Sequence, residues 1–301
     1  MQYIKNNKML FSALCILLGF SIAGIYNNIK EFNMKVNAHE YKLNECKTNM
    51  KNESNSFSWC NEYIKWDGPK RSDAFFTFFD IIFDDHFRII HLLLPVLIIM
   101  CSINRINNKL KNGYIKNELM RKKYNIYMIQ EWFHSISYLL IIPLLFVFIF
   151  LVAFILTGNF DYKNSMLNFD PWVNPVFFDN IIFSIIIYFV NFLLHGVFII
   201  NIGYIMTKKG KGYILSVISS FIVYLGLWLL SETIFGYFIM RGILGKPELH
   251  NYFSFTTLWG YPLINNFLIF TLIQFSYALI SSVIVYIIYK NKEEVIMANE
   301  K

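Results

Sequence analysis

The densest group of ionisable side chains is Asp80, Asp84, Asp85, His86, Arg88 and His91. At helical spacing Asp80, Asp84 and His91 fall on one face, and two carboxylates with an imidazole make a donor set for a hard metal ion or a proton relay. The commoner role of such a run is an interfacial helix, with its charges in water while Phe76, Phe78, Phe79, Ile82 and Phe83 enter the lipid headgroup layer. That reading is preferred here. Glu232 is the sole acid within the long apolar stretches, where a carboxylate is a functional candidate by default. It lies about 30 Å of helix from the nearest basic turn, which puts it near the far interface. Asn191 and His195, one turn apart in another apolar stretch, suit either a polar path for a substrate or hydrogen bonding between helices. The sequence contains no Gly-rich phosphate loop, no His-Glu-x-x-His pattern and no Cys-x-x-Cys pair. Neither nucleotide binding by that loop nor a zinc site is therefore expected, and no metal or other cofactor is implied.

The elements that carry these residues are set by the lipid bilayer. Residues 9–28, 132–160, 180–207, 212–231 and 251–289 contain no charge. A helix needs roughly 20 predominantly apolar residues to cross the hydrocarbon, because every backbone N–H and C=O must be satisfied within the segment. A sixth run, 89–104, is shorter, and the aromatic approach 75–87 extends it. Hydrophobic residues make up 56% of the chain, more than a soluble domain of this length needs. The fold class expected is all-α and polytopic, a single transmembrane domain over 1–301 with six spans.

Short connections rich in Lys and Arg stay in the cytoplasm. The connection between the second and third spans carries Arg105, Lys109, Lys111, Lys116, Arg121, Lys122 and Lys123 against Glu118 and Glu131. The next holds Asp161, Asp170 and Asp179 against Lys163, and the one after is Lys208, Lys209 and Lys211. These alternate as six spans require and place both termini in the cytoplasm of a multi-pass cell-membrane protein. The formal charge of +7 thus reads as topology, with attraction to anionic membrane lipid as a by-product; nothing points to nucleic acid. Lys5, Lys8 and the apolar core that follows also approximate a secretory signal. The small-residue site is poor, however, and removal would leave five spans, so retention is expected.

The region 27–74 reads as an extracytoplasmic insertion, either a small excursion domain or a mobile loop. It contains Cys46 and Cys60, for which a disulfide and two free thiols are both open; Cys15 and Cys101 read as small apolar packing residues.

The segment 104–135 is basic and aromatic, broken at Gly113 and followed by a run in which Met120, Tyr124, Tyr127 and Met128 recur at spacings of three and four. That spacing predicts an amphipathic helix of about 18 residues at the membrane surface. The order of a Pro-containing span, a charged stretch ending in Gly, a short Arg-Lys-Lys-Tyr helix and a further span resembles the membrane subunits of type-2 ABC transporters. The resemblance implies a cytoplasmic coupling helix between spans two and three that docks on a separate ABC ATPase. Gly113, Tyr114, Arg121, Tyr124 and Tyr127 fall at the docking positions. Lys109 stands four residues before Gly113, where many relatives have glutamate, and the chain before the first span is short for the usual elbow helix. The resemblance further implies a pair of such subunits, from a second copy or a related chain, and export of a lipid-like, peptide or drug-like substrate, with ATP hydrolysis confined to the partner. Two other classes are compatible with the residues. One is an outward-facing membrane metalloenzyme using Asp80, Asp84 and His91. The other is a receptor or immunity protein binding its ligand through 27–74.

Overall fold

The computed structural model describes residues 8–52, 60, 63–64, 73–83, 85–111, 123–160, 181–209, 212–253, 255 and 266–290. Every regular element among them is helical, and no strand occurs among the described residues. In chain order the principal helices are α1 (Lys8–Asn52), α2 (Ala74–Phe83), α3 (Asp85–Lys111), α4 (Tyr124–Ile136) and α5 (Ile141–Thr157). There follow α6 (Ile181–Lys209), α7 (Tyr213–Leu230), a π-helical segment (Ser231–Ile243), the short α8 (His250–Phe253) and α9 (Phe267–Tyr289). Among the described residues four helical runs are long and apolar enough to cross a membrane: Tyr124–Thr157, Ile186–Lys208, Tyr213–Ile243 and Phe267–Tyr289.

The chain divides into two compact units. One comprises Leu18–Phe87 and Phe146–Val173. Its main element is α1, which does not end with the charge-free run at residue 28 but continues unbroken to Asn52. The reason is visible in the composition: between Gly24 and Gly68 there is neither glycine nor proline, so polar residues that read as a loop meet no helix breaker. Buried Asp73 caps α2, its Oδ1 accepting from the N–H groups of Phe75 at 2.8 Å and Phe76 at 3.0 Å, a cap worth about 1 kcal/mol. The cap fixes a row of phenylalanines. Phe76 packs on Phe32 at 4.7 Å, and Phe78 meets Phe150 edge-on at 5.6 Å. Helix α5 ends at Gly158, whose φ of +65° is the left-handed conformation that glycine adopts without strain at a helix C-terminus.

In the same unit Cys46 and Cys60 form a disulfide with Cα atoms 5.5 Å apart, and His39 Nδ1 lies 2.8 Å from the Tyr63 hydroxyl. Closing a loop with a sequence separation of 14 is worth about 3 kcal/mol. In a Cys15→Ser, Cys101→Ser background, a membrane-impermeant maleimide should label intact cells only after reductant is added. Labelling before reductant would reveal free thiols, and labelling only after lysis would put this region in the cytoplasm.

The other unit comprises Met1–Leu17, Arg88–Leu145 and Asn174–Lys301. Here α6 is the central helix, packed against α7 and α9. Two glycines let it come close to its neighbours. A Cβ at Gly203 would lie 2.7 Å from Ile103 Cγ2, and one at Gly196 would lie 2.6 Å from Leu139 Cδ2, the small-residue contact by which helices associate in lipid. Asn266 starts α9, its Oδ1 accepting from the N–H groups of Leu268 and Ile269 at 3.0 and 3.2 Å. Within the charge-free run that opens at residue 251, α9 begins at Phe267. Cys101 is buried beside Tyr138 and Ile141, in keeping with its reading as a packing residue, whereas Cys15 is exposed.

Candidate functional site

Two polar networks cross the second unit, and each joins residues far apart in sequence. The first is a ladder between α6 and α9. Asn191 Nδ2 donates to Thr271 Oγ1 at 3.1 Å and to the Ile187 carbonyl at 3.0 Å. One turn further along, His195 Nδ1 lies 3.2 Å from Gln274 Oε1 and Nε2 lies 3.1 Å from the Tyr224 hydroxyl. A neutral imidazole satisfies both contacts, with Nδ1–H donating to the amide oxygen and Nε2 accepting from the phenol. Both ring nitrogens are engaged, so His195 is held as a hydrogen-bonding strut. Phe255 stands edge-on to its ring at 4.7 Å, and Phe198 lies 5.7 Å away. Asn191, His195 and Gln274 are all buried. Asn191 Oδ1 and Gln274 Nε2 have no hydrogen-bond partner among the described residues, which leaves one acceptor on α6 and one donor on α9.

Glu232 stands at the first turn of the π-helical segment and is half-buried. The inward-turned residue at that point is its neighbour Ser231, whose Oγ donates to the Phe253 carbonyl at 2.6 Å and lies 2.9 Å from the Tyr277 hydroxyl. The segment carries an i to i−5 bond at its end, from Leu244 N–H to Ile239 O at 2.9 Å, as π geometry requires.

The second network clamps α4. Arg105 grips Glu131 through two bonds, Nε to Oε2 at 2.8 Å and a terminal guanidinium nitrogen to Oε1 at 3.1 Å, while Lys109 Nζ reaches Oε1 at 2.9 Å. The Glu131 side chain is only 6% exposed, and two cations offset the cost of burying its charge. Lys109 also lies over the Tyr127 ring, 5.2 Å from its centroid. The Tyr204 hydroxyl of α6 donates to the Glu131 carbonyl at 3.0 Å, and the Tyr289 hydroxyl of α9 donates to the Tyr204 carbonyl at 2.8 Å. The Tyr124 hydroxyl returns from α4 to the Tyr289 carbonyl at 2.7 Å. A parallel link runs from Trp132 Nε1 to Asn201 Oδ1 at 2.8 Å, and Asn201 Nδ2 donates to Ser281 and Ser282, each at 2.9 Å. Helix α4 is thereby bonded to α3, α6 and α9.

The sequence placed Tyr127 and Met128 on a helix lying at the membrane surface. The structure buries both, with Glu131 and Ser135, on the face of α4 turned to the protein, and leaves Ile126, Ile129 and Phe133 exposed. Glu131 shares that buried face and is bonded there by Arg105 and Lys109. Tyr124 opens α4, whereas Gly113, Tyr114 and Arg121 lie outside the described residues. So does Asp84, as do the side chains of Asp80, Asp85, His86, Arg88 and His91. Among the described residues no group of three or more His, Cys, Asp or Glu is placed to hold a metal ion. Gln274, Tyr224 and Phe255 were not singled out from the sequence. Gln274 had a signal, as the lone side-chain amide within the last span.

Four helical runs long and apolar enough to cross a membrane, in described residues whose regular elements are all helical, support a helical membrane protein. No protein-family model, curated protein or solved structure matches the chain.

Proposed function

We propose that this chain is the membrane-spanning subunit of an ATP-driven ABC exporter, lying in the cell membrane with both termini in the cytoplasm. The runs at 9–28 and 89–104 complete six spans. The observation that carries the reading is the clamp on α4. A helix that follows the basic connection and is bonded to α3, α6 and α9 can pass a push from a cytoplasmic partner into the helices that hold the Asn191 and His195 ladder. Lys109, where members of that family commonly have glutamate, finds its counter-charge within the chain at Glu131. The partners are an ABC ATPase and a second permease subunit. On this reading the substrate path runs beside the closed ladder of Asn191 and His195, with Glu232 near the outer interface; its class is lipid-like, peptide or drug-like.

Co-purification tests the reading directly. Full-length protein isolated from its native membrane should bring an ATPase with it and should hydrolyse no ATP alone; hydrolysis without a companion chain would remove the proposal. The same pull-down separates docking from lipid attraction. Arg121→Ala should weaken ATPase recovery by roughly 1 to 3 kcal/mol, as loss of an interface anchor does. Lys122→Gln and Lys123→Gln should each cost about 1 kcal/mol of lipid attraction with little effect on recovery. Tyr124→Ala should act as Arg121→Ala does, and Tyr124→Phe isolates the internal bond to the Tyr289 carbonyl. If the lysine changes dominate and Tyr124→Ala has no effect, α4 is not a docking helix.

A further inference from the structure

A cavity of about 330 Å³ opens between α4 and α9. Its floor includes buried Val285, and its walls are Ile129 and Phe133 of α4 and Tyr286 of α9, all three about half exposed. One end is polar, with Asn125 in the first turn of α4 and Lys290 just beyond the last turn of α9. The volume is at the low end of small-ligand sites, about 300 to 1,000 Å³, so it fits a chain of a dozen or so methylenes and not a protein domain. Both walls belong to helical runs long and apolar enough to cross a membrane, and with those runs in a bilayer hydrocarbon faces the apolar part.

Among the described residues the charges gathered at the polar end are cations. Lys290 lines the cavity and Lys123 precedes α4 with no side chain capping that helix. Lys208 donates to the Ile288 carbonyl at 2.7 Å, which brings a third cation to the end of α9. Among the described residues no acidic side chain lines the cavity, and the Glu131 charge is offset by Arg105 and Lys109. The α9 carbonyls of Ile288 and Tyr289 accept from Lys208 and Tyr124, so they present less bare negative dipole to a ligand. A groove that is apolar along the bilayer and cationic at its end matches an anionic phospholipid. We infer that this groove holds one such lipid, its acyl chain between Ile129, Phe133 and Tyr286 and its phosphate at Asn125 and Lys290. The site joins α4 to α9 beside the clamp and is filled whether or not another chain docks on the same end of the bundle.

Native mass spectrometry of the full chain in detergent, titrated with dioleoyl phosphatidylglycerol or dioleoyl phosphatidylcholine, tests the assignment. One retained phosphatidylglycerol is expected at a concentration below that needed for phosphatidylcholine by about fivefold for each cation engaged. Lys290→Glu should abolish that preference. Ile129→Trp, which fills the groove from a half-exposed position, should reduce retention of both lipids while the thermal midpoint stays unchanged. Equal retention of the two lipids, or a preference that survives Lys290→Glu, would overturn the inference. Displacement of the lipid by millimolar glycerol phosphate would also do so, since the site would then be a headgroup site alone. Dimer peaks that exclude the lipid would assign the groove to a second copy.

Discussion

Glu131→Ala is expected to destabilise the protein by about 3 kcal/mol, the largest effect of any single charge change in the clamp. Removing one partner of a buried ion pair costs roughly 3 to 5 kcal/mol because the other charge is left without compensation. Here the expectation sits at the low end, since Arg105 is 40% exposed and its guanidinium can turn to water. Lys109 is less able to do so, at 15% exposure. Lys109→Met alone should cost less than Glu131→Ala, because the two bonds from Arg105 to Glu131 remain. Glu131→Met combined with Lys109→Met should recover part of the loss, as replacement of a buried pair by apolar side chains often does. A double-mutant cycle on unfolding in mixed micelles measures the coupling. Single changes that each cost less than about 1 kcal/mol and vanish with added salt would mark the pair as an ordinary surface contact.

His195→Ala should cost about 3 to 4 kcal/mol, and His195→Phe only about 1 to 2. Alanine removes a ring that touches Phe255 and Phe198 and leaves a cavity, at the penalty usual for aromatic truncation. It also leaves Gln274 Oε1 and Tyr224 Oη without their shared partner. Phenylalanine keeps the ring contacts and forfeits the two hydrogen bonds, which in membrane interiors average about 0.6 kcal/mol each. Gln274→Leu should cost less than His195→Phe, since it also removes the Nε2 donor that has no partner among the described residues. Thermal midpoints of the three variants rank the effects. If phenylalanine proves as damaging as alanine, the ladder is held by its hydrogen bonds and not by packing.

Spans were legible where lipid imposes a single requirement, a long run without charge: the runs at 132–160, 180–207, 212–231 and 251–289 each contain much of one of the four spanning helices. Two features were harder to see. The continuation of α1 past residue 28 was hidden because polar composition suggests a loop, while the decisive fact was the lack of any breaker up to Asn52. The partners of buried polar groups were hidden by distance along the chain. Glu131 meets Lys109 across 22 positions and His195 meets Gln274 across 79, and no local pattern encodes such a meeting. His195 itself could be read as a polar residue in a span, with pore lining and interhelical bonding both open; only the two bonded ring nitrogens show how it is engaged.

The length of α1 has a consequence for reach. At about 1.5 Å per residue, the 45 residues of this helix extend roughly 68 Å along its axis, more than twice the roughly 30 Å of hydrocarbon. No placement across a bilayer could contain the whole rod, which has no glycine or proline joint beyond Gly24. Tyr41, 72% exposed, and the Cys46 staple are therefore carried on a mast whose height is counted in residues. Shortening the helix by whole turns would lower them by about 5.4 Å at a time, which turns any reaction at the tip into a measurement of distance from the bilayer.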